Sequence, residues 1–201
     1  MKLYGLARAP NPRRVRIFLA EKGIDLPETP VDLMSGDHKS PAHRARNSLG
    51  QIPTLEPDGT TISETVAICR YFEEIQPKPP LFGVGAVEKA LVEMWVRRME
   101  FVLMAPVGAF WRHAHPRTAA LLTQFKDYGE SNREAYDKAQ RWLDRELAGR
   151  TFIVGETFTM ADICALSTVD FASQIGLPLE PGRSNLVAWR ERVSSRPSAA
   201  A

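Results

Sequence analysis

The stretch QPKPPLFGVG, residues 76–85, is dense in proline and glycine and separates two parts of the chain with different hydrophobic periods. Before it, strand-like alternation and helical spacing take turns. After it, only helical spacing is left. A change of this kind at a Pro/Gly-rich stretch marks a domain boundary. It predicts an α/β domain over residues 1–76, a linker over 77–86 and an all-α domain over 87–201.

In the first part KLYGL reads as a strand. Val15, Phe18 and Leu19 recur at helical spacing from Pro12 until Lys22-Gly23 ends the helix. PETPVDL is extended, GDHKSPAHRARNSLG is polar and irregular, and IPTLEPDGTTIS reads as a hairpin turning on Pro57-Asp58-Gly59. ETVAICRYFEEIQ closes the unit as a helix. Strand-helix-strand, loop, hairpin, helix is the order of a compact α/β unit.

In the second part Leu91, Trp95, Met99, Val102 and Leu103 step by threes and fours, and Pro106 should kink that helix. Leu121, Leu122 and Phe125 suggest a second helical run, and Tyr136, Ala139, Leu143 and Leu147 a third. Thr159-Met-Ala-Asp162 is a capping box. The helix it opens is apolar on nearly every side, so it belongs at the centre of the domain. LVAWRERVSSRPSAAA supplies a last helix and a frayed tail.

Charge and composition narrow the partners. Lys and Arg total 26 against 24 acids, for a net charge of +2, which gives no general pull toward nucleic acid or anionic membrane. MKLYGLARAP enters a strand at once, with no apolar leader, so the expected location is cytoplasmic. No apolar run approaches the length of a bilayer span. Cys69 and Cys164 sit in apolar helical runs and read as buried thiols. His113 and His115, two apart in a predicted helix, face different ways and make no metal pair, and no metal is expected.

The polar residues of the first part form an ordered series. His38 and Lys39 lie in a cation-bearing loop. Gln51-Ile52-Pro53 is an X-Pro turn at the mouth of a strand, able to be cis and to expose the backbone of Ile52. Ser63-Glu64-Thr65 opens a helix. A helix N-terminus binds a carboxylate, Glu64 an ammonium, and Lys39 a second carboxylate at a distance. That is the charge pattern of a zwitterionic peptide with an acid at each end. Each piece also has a bland reading, since the proline can protect an edge and Ser-Glu-Thr can cap.

RRVRIFLAEKGI, GDHKSPAHRARNSLGQIPTLE, SETVAICRYFEE and GETFTMADI, in this order over nearly the whole chain, resemble the cytosolic glutathione transferases. The resemblance implies a thioredoxin-like N-terminal domain, an all-helical C-terminal domain and a homodimer with a site in each subunit. It implies that Glu64 and Thr65 hold the γ-glutamyl end of glutathione. The backbone of Ile52, before a cis Pro53, would pair with the cysteinyl part, and His38, Lys39 and Gln51 would meet the glycine carboxylate. It also places a pocket for an apolar electrophile near Met104, Phe110 and Trp111, with Arg8 at the exposed start of the first loop.

LARAPNPRRV, residues 6–15, departs from the family. Its theta-like and phi-like branches carry a serine four residues before the arginine matching Arg13, and here that position is Ala9. Tyr4 lies within a strand and no cysteine is near. Asn11 stands in a context resembling the nu-like bacterial branch, where an asparagine sits beside the sulfur. As a residue, Asn11 is also a good N-cap with Pro12 at the first helical position. Arg13 and Arg14 in the first turn oppose the helix dipole at about 0.3 to 1 kcal/mol each, which an anion would offset. The expected activity is transfer of a glutathione thiolate to a small electrophile, with Asn11 and Arg13 at the sulfur. The alternatives are nu-like glutathione-dependent disulfide reduction, and a binding protein that leaves the thiol unactivated.

Overall fold

The computed structural model describes residues 1–7 and 9–201, which divide into two compact units. The first comprises Met1–Leu81 together with Pro197–Ala201, and the second Phe82–Arg196.

The first unit begins with β1 (Lys2–Gly5), α1 (Pro10–Glu21) and β2 (Glu28–Pro30), a βαβ unit in which the two strands pair in parallel. A short 3-10 turn at Asp37–Lys39 and α2 (Pro41–Arg46) lead into the antiparallel hairpin of β3 (Thr54–Glu56) and β4 (Ile62–Ser63). Helix α3 (Thr65–Ile75) follows. The sheet order is β2-β1-β3-β4, with β1 antiparallel to β3. Alternation along the strands puts Leu3 and Leu55 in a core with Val15, Phe18 and Leu19 of α1 and Ile68, Cys69 and Phe72 of α3, all buried. Tyr4 faces a second buried group formed with Ala9, Val31 and Ile52.

The C-terminal end of α1 is fastened to α3 by Lys22, whose side chain is wholly buried. Its ammonium lies 2.5 Å from Glu73 Oε2 and donates to the carbonyls of Gln76, at 2.8 Å, and Pro79, at 2.5 Å. Gln76 Nε2 returns a hydrogen bond to the Lys22 carbonyl. A buried ammonium is tolerable only when its donors are answered in this way.

The second unit is helical. α4 (Gly85–Arg98) widens into a π-helical segment, Met99–Met104, and continues as α5 (Ala105–His113). The widening falls just before Pro106, whose ring and missing N–H would otherwise disturb a regular α-helical ladder. α6 (Lys126–Glu146), α7 (Met160–Gln174) and α8 (Ser184–Ser194) complete it. Every residue from Met160 to Val169 is buried, as the all-round apolar pattern requires. The capping box is present, and the Asp162 carboxylate also accepts hydrogen bonds from Ile153 N–H at 3.0 Å and Trp189 Nε1–H at 2.9 Å. Burial pushes the Asp162 carboxyl up, and these hydrogen bonds oppose it.

Two expectations are corrected. Leu121, Leu122 and Phe125 begin no helix; they are exposed, between a 3-10 turn at Pro116–Thr118 and the start of α6. The Thr118 hydroxyl lies 2.6 Å from the Trp111 carbonyl and 2.9 Å from that of His115, and Gln124 Nε2 donates to it at 3.0 Å, so side-chain bonds set this segment's course. Nor does the tail fray. Pro197–Ala200 forms a 3-10 turn on α1, where Arg13 Nη2 donates to the Ala199 carbonyl at 3.0 Å and the Ser198 hydroxyl bonds the Glu21 carboxylate.

Replacing Lys22 by methionine leaves the Glu73 carboxylate and two carbonyls facing an apolar side chain. Loss of one partner of a buried ion pair costs about 3 to 5 kcal/mol, so Lys22→Met should lower the urea unfolding midpoint markedly. An unchanged midpoint would show that the clamp contributes nothing net.

Candidate functional site

The sheet register assembles the site. β1 meets β3 with Tyr4 opposite Thr54, and β3 meets β4 with Thr54 opposite Ser63. The residues just beyond, Gly5, Pro53 and Glu64, therefore share one end of the sheet. β2 runs parallel to β1, with Gly5 opposite Pro30, so the loop carrying His38 and Lys39 leaves from that same end. Backbone pairing thus brings sequence-distant polar groups to one end of the sheet.

At this end the joint between β1 and α1 is held from two sides. Ala9 packs in the buried group with Ile52. Arg16 of α1 donates to the Ala7 carbonyl and pairs with Glu28 Oε2 at 3.0 Å. Burial raises the Glu28 carboxyl, and Arg16 opposes that. A Cβ at Gly5 would overlap the Glu28 carboxylate, so any larger residue there requires the Glu28 side chain to move away from Arg16.

The capping reading of Asn11 is corrected. α1 begins two residues earlier than its apolar spacing suggests, with Ala9 as N-cap, no side-chain cap and Pro10 at the first helical position. Asn11 and Pro12 are then the second and third. Neither proline carries an N–H, so the Asn11 amide is the one backbone donor among the first three helical residues. Its carboxamide does not cap the helix, because Ala9 is the N-cap.

The start of α3 is also without a side-chain cap. Its N-cap is Glu64, which adopts φ 68° and ψ 121° and is the only non-glycine residue with positive φ among the described residues. Such a conformation costs on the order of 1 to 3 kcal/mol and collects at ligand sites. The Glu64 side chain is exposed, whereas Thr65 is buried beneath it. Capping does not account for Ser63-Glu64-Thr65.

The Ile52–Pro53 bond is cis, with Ile52 buried. Before it, the Gln51 carbonyl is held by His43 Nε2 at 2.9 Å and Asn47 Nδ2 at 3.0 Å. Gly50, at φ +60°, comes so close to the 3-10 turn that a Cβ would lie 2.9 Å from the His38 carbonyl. That approach sets Gln51 beside the His38-Lys39 loop. The half-buried His38 ring has its pKa lowered, first by desolvation and then by the charge of Lys39. Lys39 and Gln51 are exposed.

In the second unit Met104 and Trp111 are half-buried, and Phe110 is buried with the Arg133 guanidinium 4.2 Å from its ring centre. His113 Nδ1 accepts the Phe125 amide at 3.4 Å and His115 Nδ1 that of Arg117 at 3.2 Å, so both rings serve local turns. Arg8 lies outside the described residues. Among the described residues no cluster of metal-ligating side chains occurs, and no helix is long and apolar enough to cross a membrane. Tyr4 is committed elsewhere, its hydroxyl donating to Glu56 at 3.2 Å.

A four-stranded thioredoxin-like unit with a cis-proline turn and a strained acidic residue at one sheet end, followed in sequence by an all-helical unit, defines the glutathione transferase class. Residues 9–75 match the family described as Glutathione S-transferase, N-terminal domain, and residues 97–197 the corresponding C-terminal domain. Glutathione S-transferase 2 of Saccharomyces cerevisiae is 34% identical over 98% of this chain and 87% of its own length. Human glutathione S-transferase theta-2 is 32% identical over 91% of this chain and 76% of its own. A solved glutathione S-transferase domain-containing protein from Marinobacter aquaeolei VT8 superposes with a TM-score of 0.92 at 37% identity, covering 98% of this chain and 99% of that one. Gtt2 from Saccharomyces cerevisiae gives 0.93 at 33%, covering 100% and 99%. The chain belongs to the glutathione S-transferase family.

Sequence reasoning missed His43 and Asn47, the residues behind the Gln51 turn. An asparagine three residues before a glycine, ahead of Ile-Pro, is a turn signal that points to Asn47. Nothing in the sequence marks His43. For Glu64 the strain supplies a test: Glu64→Gly should be at least as stable as wild type in urea unfolding, because glycine adopts positive φ freely. A loss of more than about 1 kcal/mol would instead give Glu64 a structural role.

Proposed function

We propose that the protein activates the thiol of bound glutathione and directs the thiolate onto a small, apolar electrophile. The observation that carries the reading is the uncapped start of α3, where Glu64 holds a strained backbone and an exposed carboxylate beside buried Thr65. Glu64 receives the γ-glutamyl ammonium, and Thr65 with the α3 N-terminus receives its carboxylate. The backbone of Ile52, before cis Pro53, pairs with the cysteinyl residue, and His38, Lys39 and Gln51 meet the glycine carboxylate. Bound this way, the sulfur lies toward the start of α1.

There the Asn11 backbone amide and carboxamide donate to the sulfur, and Arg13 adds positive charge two residues on. Preferential stabilisation of the charged form lowers the thiol pKa, each unit requiring about 1.36 kcal/mol. The thiol proton leaves to solvent, sulfur bonds to the electrophilic carbon, and the leaving group departs with the bonding pair or the adduct is protonated. In this reading the half-buried Met104 and Trp111, with Phe110, supply apolar surface of the second unit for the electrophile. The protein acts in the cytoplasm.

A thiolate-absorbance titration of the glutathione complex tests the assignment. Wild type should titrate well below the free-thiol value near 8.5, and Asn11→Ala about one unit higher than wild type, with conjugation of a chlorodinitrobenzene acceptor falling about threefold at neutral pH. Tight binding with an unshifted thiol would reduce the protein to a glutathione-binding module. Turnover of a small mixed disulfide without conjugation would favour the reductase.

Homodimer formation is part of the same proposal. Val87, Leu91, Met94, Phe101 and Val102 step along α4 and the π segment as an exposed apolar stripe, with Phe101 70% exposed. Contiguous apolar surface of this kind marks an interface, and the proposed occupant is a second copy. Sedimentation should show a dimer for wild type and a monomer for Phe101→Glu; a monomeric wild type would end this part of the reading.

A further inference from the structure

We propose that His43 is a positioning residue for glutathione: it holds the Gln51 carbonyl so that the amide on the same peptide plane, that of Ile52, is aimed at the cysteinyl backbone. This rests on the glutathione reading of the site and assigns a role to a residue outside the ligand's contacts.

A carbonyl has two lone pairs, and Gln51 spends both on the protein, one on His43 Nε2 at 2.9 Å and one on Asn47 Nδ2 at 3.0 Å. A peptide unit is planar, and across the trans Gln51–Ile52 bond its C=O and N–H point in opposite directions. Fixing the carbonyl toward α2 therefore fixes the Ile52 amide the other way. The next bond is the cis link to Pro53, whose nitrogen has no hydrogen, so the Ile52 amide is the donor this turn can present.

The environment of His43 fits this role. The residue is 3% exposed, and its Nδ1 has no hydrogen-bond partner among the described residues. A purely packing ring at this place would be better apolar, because a buried unpartnered nitrogen is costly. The gain that remains is the bond from Nε2, which requires the Nε2–H tautomer since a carbonyl only accepts. Asn47 cannot substitute freely, because its Oδ1 also accepts the Leu49 amide at 3.1 Å and its backbone N–H donates to the His43 carbonyl at 2.8 Å.

The test compares wild type, His43→Phe, which keeps the ring and removes the donor, and His43→Gln, which restores a donor. Glutathione affinity is measured by calorimetry, and KM and kcat with a chlorodinitrobenzene acceptor. His43→Phe should raise both the dissociation constant and the KM for glutathione roughly five- to twentyfold, with kcat at saturating glutathione within about twofold of wild type. His43→Gln should recover most of the affinity. On wild type itself, nitrogen-detected NMR of the imidazole should show a protected Nε2–H, with the Ile52 amide shifting on glutathione addition, and this holds whether or not the phenylalanine variant folds. Glutathione affinity in His43→Phe equal to that of a binding-competent wild type, or an Nδ1–H tautomer, would overturn the role of His43 and leave the glutathione site standing. A wild type that binds no glutathione would remove both.

Discussion

The pairing of β1 with β3 and of β3 with β4 is the constraint on which the rest of this site depends. Side chains alternate along a strand, so a slip of one residue between β1 and β3 would exchange Leu3, in the main core, with Tyr4, in the smaller buried group. It would also carry Pro53 away from the end of β1. The register is secured by chemistry on both faces. Leu3 and Leu55 stand opposite each other and are buried, while the Tyr4 hydroxyl bonds Glu56 and the Arg46 guanidinium lies 4.5 Å from the Tyr4 ring centre. With this pairing in place, the start of α1, the cis-proline turn and Glu64 arrive at one sheet end.

What gathers there is mostly backbone. The Asn11 amide, the Ile52 amide and the first amides of α3 are donors whose directions follow from the helices and turns that hold them. Groups fixed in this way need little reorganisation when they meet an anion. Glu64 shows the other side of the arrangement. Its positive φ falls between β4 on one side and α3 on the other, and a cost of about 1 to 3 kcal/mol is sustained by the surrounding fold. The Lys22 clamp at the opposite end of α1 belongs to that fold: it ties α1 to α3 and to the residues after it through one buried ammonium.

Much of this was legible in the sequence, for identifiable reasons. The change of hydrophobic period near residue 76 and the Pro-Asp-Gly turn are local signals, and local signals dictate the α/β and all-helical parts. Thr159 and Asp162 form a motif whose residues serve each other within one turn. Sequence alone points two residues too late for the start of α1, because Pro10 and Pro12 are equally suited to the first helical position and Asn11 between them looks like a cap for the second. Packing of Ala9 against Ile52, a contact distant in sequence, accompanies the earlier start. Leu121, Leu122 and Phe125 misled because apolar spacing says nothing about Thr118 and Gln124, whose side-chain bonds direct that segment. His43 could not be found from sequence, since its role exists only once Gln51 is folded against α2.

Under the proposed reading, thiolate stabilisation needs no hydroxyl at Ala9. Moving a thiol from a pKa near 8.5 to one near 6.5 takes about 2.7 kcal/mol of preferential thiolate stabilisation. A hydrogen bond to a charged group supplies about 1.5 to 3 kcal/mol, and a helix N-terminus a further 0.3 to 1 kcal/mol or so. One strong donor in the field of α1 therefore reaches the required magnitude, and a second donor secures it. Prolines at the first and third positions of α1 concentrate this capacity, because they strip their own N–H groups and leave Asn11 with both a backbone and a side-chain donor. Under the proposed reading, a thiolate at the start of α1 meets two donors from this single residue.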